Sequence, residues 1–299
     1  MGRDSGLDVD GFARYYDDLV INGSRTVVVA AGNYGSPGCI QGTNGNVGTP
    51  AVAHNIITVG NFDDKGTTDW NDDAMNPCSS WRNPKSTHND RQKPEVAAPG
   101  TNITSTINSS PWIGDTGSGT SYAAPLVAGV AAQLIQRNSS LSAWPEVVKA
   151  IIMTSAVHNI EGSQQLSEYD GAGGVAADRA DDIARGVGGN SGAQSYSCDA
   201  STSLDVATIS LNAGQRTRAT IVWDNNPDYS DYANRPSADL DFQIVNSSDQ
   251  VVASSSSYDN TYEIVDFTPS SSDTYKLRVK KFRCDLTPKR LAWAWRQGN

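Results

Sequence analysis

The chain has 299 residues, 37% of them hydrophobic, which suits a globular protein of up to two domains and not a disordered one. Lys+Arg 23 against Asp+Glu 33 leaves a net charge of −10, which argues against nucleic acid and anionic membrane surfaces as partners. No apolar run approaches the roughly 18 residues of a membrane span. Residues 8–22 read as an amphipathic helix with Phe12, Tyr15, Tyr16, Leu19 and Val20 on one face, ended by Asn22-Gly23. Thr26–Ala31 reads as a strand buried on both faces, and Gly32-Asn33 follows at its C-terminal edge. A helix leading into a buried strand is the pattern of a parallel α/β sheet, which places its ligands at that edge. Two more helices are predicted. The first is 121–137, with Leu126, Val127, Val130, Ala131, Leu134 and Ile135 forming its buried face and Pro125 in its first turn. The second runs from Ser142 to about Ala156 on Val147, Val148, Ile151 and Ile152. Residues 186–192, rich in glycine, read as a flexible joint. Beyond them the period changes to two: Leu240/Phe242/Ile244, Tyr275/Leu277/Val279 and Leu291/Trp293/Trp295 mark short strands. Such strands over about 100 residues indicate an antiparallel sandwich.

Chemistry concentrates in Gly117-Ser118-Gly119-Thr120-Ser121-Tyr122-Ala123-Ala124-Pro125-Leu126-Val127-Ala128-Gly129. Ser121 stands at a helix N-terminus, where unpaired N–H groups and the helix dipole favour developing negative charge. A Ser before a helix is usually an N-cap, but this string is far longer than a cap needs. It resembles the serine box of the subtilisin-like serine proteases, whose Ser attacks the peptide carbonyl. Ala30-Ala31-Gly32-Asn33 resembles the segment of that family whose Asn amide completes the oxyanion hole. Gly48-Thr49-Pro50 resembles a loop lining the pocket for the residue before the scissile bond, and Lys93–Gly100 resembles the segment preceding the serine box. The resemblance covers roughly residues 8–185. It implies a subtilisin-like α/β domain over residues 1–190 and a serine endopeptidase acting on polypeptides. Ser121 would be the nucleophile and Asn33 the oxyanion donor, with Ala31, Gly32 and Gly48 binding substrate and no cofactor needed for the chemistry. Asp239-Leu240-Asp241 followed by Tyr258-Asp259-Asn260 makes residues 198–299, within an expected β-domain of 191–299, similar, more weakly, to the β jelly-roll appended to many secreted bacterial members.

The family's Asp and His boxes are not found. Asp4-Ser5-Gly6 looks like the Asp triplet, but only Met1-Gly2-Arg3 precede it where a buried apolar strand belongs. The three histidines, His54, His88 and His158, read as structural or solvated. The chain is therefore expected to represent the C-terminal part of a catalytic domain, inactive alone, from a protein secreted at full length although this N-terminus offers no signal segment. The alternative is a relic that binds a partner through its β-domain. Four cysteines allow three pairings, of which 39–78 and 198–284 keep each link within one half. Asp224, Asp228, Asp239 and Asp241 cluster in sequence. Related β-domains often bind Ca²⁺, so a structural Ca²⁺ is one reading of that quartet and a solvated acidic face the other.

Overall fold

The computed structural model describes residues 11–39, 42, 44–158, 169–199 and 202–298. Asp4-Ser5-Gly6 lies outside them. Helix α1 (Gly11–Ile21) turns Ala13, Asp17, Val20 and Ile21 inward, and Phe12 and Tyr15 stay 56% and 58% exposed. The aromatic face expected of this helix is thus displaced by about a quarter turn. The cause is Asp17, whose two carboxylate oxygens accept the backbone N–H groups of His54 and Asn55 and hold the helix at that angle.

Strands β1 (Val28–Ala30), β2 (Ile57–Asp63) and β4 (Val96–Pro99) form a parallel sheet in the order β1-β2-β4, with the short β3 (Ala74–Met75) antiparallel against the end of β2. β2 is buried nearly throughout. β1 is only half-buried, where full burial was expected, because among the described residues it pairs with β2 alone and is an edge. After a hairpin of β5 (Ile103–Thr106) and β6 (Ile113–Gly117), helix α2 (Thr120–Arg137) lies across the sheet on Ala123, Val127, Ala131 and Leu134. Leu126, expected on that face, is 48% exposed. Pro125 is the sixth helical residue and not part of the first turn.

Helix α3 (Pro145–Ser155) is buried on every residue, so the two-sided pattern expected of it is absent. The reason is a second layer. Strands β7 (Gly189–Gln194), β8 (Ser203–Leu211), β9 (Thr217–Trp223), β10 (Ala238–Val245), β11 (Val251–Ser255), β12 (Tyr262–Phe267), β13 (Asp273–Cys284) and β14 (Leu291–Gln297) form two antiparallel sheets. Their orders are β11-β10-β13-β8 and β12-β9-β14-β7. Leu240, Phe242, Ile244, Leu277 and Val279 of one sheet pack against Ala219, Ile221, Trp223 and Leu291 of the other. The outer face of the second sheet then presents Val222, Tyr262, Ile264, Ala292 and Ala294 to α3, and they join one core with Val148, Ile151 and Ile152. Alanine at 292 and 294 keeps the strand low enough for a helix to lie on it. Burying each large aliphatic side chain of α3 contributes about 1.5–3 kcal/mol. α3 is thus a shared spine between the parallel sheet and the sandwich.

The glycine-rich stretch is no loose joint. Helix α4 (Ala177–Arg185) ends on a left-handed Gly186, and Gly189–Gln194 is the edge strand β7 paired with β14. Both expected disulfides are present: Cys39–Cys78 and Cys198–Cys284, with Cα atoms 5.4 and 5.9 Å apart.

Candidate active site

The first turn of α2 begins without a side-chain cap: Gly119 occupies the N-cap position, and no acidic residue follows in the first turn. Its N–H groups are therefore free for other work. Thr120 N–H donates to Asn33 Oδ1 (3.0 Å), and the Thr120 hydroxyl reaches the same oxygen at 3.2 Å. That hydroxyl also accepts the Gly32 N–H (3.2 Å). Thr120 clasps the end of β1 against the start of α2, holding the Asn33 amide by its oxygen. Ser121 follows, exposed, with its backbone N–H bonded to no acceptor among the described residues. Gly100 lets this turn close: Gly119 N–H donates to Gly100 O (2.8 Å), and a Cβ at Gly100 would stand 2.6 Å from Asn61 Oδ1 and 2.8 Å from Gly119 O.

Of the other expected residues, Gly32 is half-buried at the strand end and Ala31 is fully buried, its carbonyl accepting the Gly48 N–H (3.2 Å). Ala31 and Gly48 tie two loops together through their backbones. Beyond Asn33 the chain runs into the wall of a cavity of about 650 Å³ lined by Gly35, Met75, Pro77, Ser79, Trp81 and Tyr169. Gly35 N–H donates to Cys78 O and Tyr34 N–H to Ser80 Oγ, so the Cys39–Cys78 loop is stitched to the strand that carries Asn33.

Residues 8–173, more than half of the chain, match the Subtilase family of peptidases. The chain belongs to the subtilase family. Among relatives, serine protease AprX of Bacillus subtilis is 36% identical over 138 residues, 42% of this chain and 29% of that protein. Subtilisin-like protease 2 of Pseudogymnoascus destructans is 36% identical over 158 residues, 52% of this chain and 34% of that protein. The subtilase chain thus spans about a third of the length of these relatives. Among solved structures, the patellamide maturation protease PatA is 25% identical over 60% of this chain and 58% of that one, with a TM-score of 0.44.

Each histidine of this subtilase chain is engaged away from Ser121. His54, expected among structural or solvated positions, is 2% exposed: its ring packs edge-on against Tyr232 (4.9 Å), and Nε2 lies 3.2 Å from Tyr232 O. Burial, then Arg91, holds its pKa well below the ordinary imidazole value, so it is neutral at neutral pH. His88 pairs with Asp259 (3.1 Å) and stacks on Tyr258, and His158 faces the buried Asp170 (3.3 Å).

The aspartates proposed as a calcium set do not converge. Asp224 Oδ1 accepts the Arg290 N–H, Asp228 is exposed on a separate turn, and only Asp239 and Asp241 share a cavity. Among the described residues no group of three or more His, Cys, Asp or Glu is arranged to hold a metal.

Two features escaped the sequence reading. Thr120 was in the motif and could have been suspected as a hydroxyl beside the nucleophile. The second is a buried charge cluster. Glu95 Oε1 accepts both Lys93 Nζ (2.6 Å) and Lys149 Nζ (2.9 Å), and its Oε2 accepts the Thr58 N–H (2.8 Å). Lys149 also donates to His54 O and Ile56 O. Nothing in the spacing of these residues announces their meeting.

Proposed function

We propose that this chain carries the nucleophile and the oxyanion site of a serine endopeptidase acting on polypeptides. The observation that carries this reading is the Thr120 clasp, which holds the Asn33 amide against Gly119 and Thr120, the residues just before Ser121 at the start of α2. Ser121 Oγ attacks the carbonyl, and the oxyanion is received by Ser121 N–H and the Asn33 amide, which act more strongly on the transition state than on the ground state. Ala31, Gly32 and Gly48 shape the edge against which substrate lies, their main-chain groups being bonded to one another and to Val59, Ser80 and Thr120, and no cofactor enters the chemistry. Since the three histidines hold other partners, the base reaches Ser121 from a segment or chain outside the described residues. Residues 1–299 alone are then inactive. Strand orders 11-10-13-8 and 12-9-14-7 support reading the second half as a jelly roll, with the catalytic portion ending near residue 190. Two disulfides favour an oxidising, extracellular location for the full-length protein. In the active protein Ser121→Ala abolishes turnover, and Asn33→Ala lowers kcat about 10²–10³-fold with KM little changed, a magnitude known for one oxyanion donor in a related enzyme. An effect on KM alone would remove Asn33 from the oxyanion role. The engagement of all three histidines also favours the relic reading, in which the β-domain binds a partner. Proteolysis by the full-length protein that depends on Ser121 excludes it.

A further inference from the structure

Far along the fold, where the C-terminal end of α3 meets α4, β9 and β14, four arginines surround a small cavity: Arg179, Arg216, Arg218 and Arg296. Its volume is about 30 Å³, room for one or two oxygen atoms with the rest of a ligand in solvent. Arg218 is 6% exposed. Its Nη1 donates to Ala156 O (2.8 Å) and Ala172 O (2.9 Å), and its Nε meets Asp266 (3.1 Å). Its Nη2 is buried with no hydrogen-bond partner. Leaving a buried guanidinium N–H unmatched is costly. Among the described residues Arg179 makes neither an ion pair nor a hydrogen bond, and burial and then the like charge of Arg296 pull its pKa below the ordinary value. Arg216 is already spent on Asp266, bonding both its oxygens.

Three acids among the described residues act on the cluster. Asp266 serves Arg216 and Arg218 together, Asp178 is exposed beside Arg179, and Asp170 acts on Arg218 only after stronger neighbours. Arg296 Nη1 donates to Gly298 O (2.8 Å), so the cluster gathers four guanidinium groups at one place in a chain of net charge −10. The four guanidinium groups come from α4, the segment entering β9, β9 itself and β14, so their N–H groups converge from several directions. That suits a tetrahedral oxyanion better than a planar carboxylate.

We propose that this cleft is a binding site for a phosphate-type oxyanion, which ties α4 to the β9–β14 sheet across the end of α3. The site is separate from Ser121 and its proposed chemistry. The anion takes the open donor of Arg218 and a donor of Arg179, both at the cavity wall.

Isothermal titration of the folded chain with inorganic phosphate, at constant ionic strength, tests this, with acetate and chloride as comparison anions. Saturable one-to-one binding of phosphate is expected, with acetate at least tenfold weaker and a Tm that rises with phosphate concentration. Arg179→Gln and Arg296→Gln are both at half-buried positions and are checked by circular dichroism. Each is expected to weaken phosphate at least tenfold. A phosphoserine peptide binding as tightly as inorganic phosphate would place the natural ligand on a phosphorylated chain; weaker binding would leave the free anion as the ligand. Binding that does not saturate, equal binding of acetate, or phosphate affinity unchanged in the folded Arg179→Gln protein would overturn the site.

Discussion

Glu95→Gln removes the one carboxylate that holds Lys93 and Lys149 in the interior. Both ammonium groups are 1–2% exposed, so neither can turn to water. Breaking a buried pair from one side costs about 3–5 kcal/mol, because a charge is left without its partner. Burial pushes Glu95 up, but Lys149 and Lys93 together hold its pKa below the ordinary value. Lys93 behaves oppositely: burial outweighs Glu95 and brings it to about 7. Between pH 7 and about 10.5 the folded chain therefore holds fewer protons at Lys93 than the unfolded chain, and wild-type stability rises with pH through that window. Below pH 7 Lys93 is charged in both states and attracted to Glu95. The variant loses that attraction, so its deficit is largest near pH 6 and shrinks toward pH 9. Lys149 keeps its two carbonyl acceptors, which puts the expected loss near the lower bound, about 3 kcal/mol at pH 6. At roughly 2–4 °C per kcal/mol, Tm falls by about 6–12 °C. Urea denaturation at pH 6, 7.5 and 9, followed by circular dichroism, measures it. A deficit below about 1 kcal/mol, the worth of an exposed pair, or one that grows with pH, would refute the reasoning.

Thr120→Val keeps the size and the backbone N–H bond to Asn33 but removes both bonds of the hydroxyl, to Asn33 and from Gly32, so in the active protein kcat should fall about 5–10-fold, roughly 1–1.4 kcal/mol, with a smaller effect on KM; steady-state kinetics against Asn33→Ala checks this. Cys284→Ser opens a link across 86 residues and should cost about 2–5 kcal/mol, read by thermal melting with and without reductant. Residues 198–299 expressed alone lack strand β7 and bare the Val222/Tyr262/Ile264/Ala292/Ala294 face, so they should aggregate on size-exclusion chromatography. A monodisperse fragment with native-like strand content would show that the α3 contact is dispensable.

The serine box, the Gly32-Asn33 edge and the period-two strands were legible because each is a local pattern. The helix at 121–137 was reached from local signals too, whereas the disulfide pairs, one of three possible sets, followed only from keeping each link within one half. What the sequence concealed is contact between distant segments. Asp17 reads as the polar side of a helix, yet it is buried because His54, Asn55 and Tyr232 come to it from far along the chain. Lys149 reads as the wet edge of α3, yet it lies over Glu95. Ala292 and Ala294 read as fillers between Leu291, Trp293 and Trp295, and they are the platform for a helix. Of four aspartates close in sequence, Asp239 and Asp241 lie two apart on β10 and line one cavity, while Asp224 bonds the Arg290 N–H and Asp228 is exposed on a turn.

Labelling Ser121 tests the central claim most directly. The full-length, proteolytically active polypeptide is treated with a fluorophosphonate and its peptides are mapped by mass spectrometry. The adduct is expected on Ser121, is lost together with proteolysis in Ser121→Ala, and is absent from residues 1–299 expressed alone. An adduct on another serine, or proteolysis that survives Ser121→Ala, would contradict the assignment of the nucleophile.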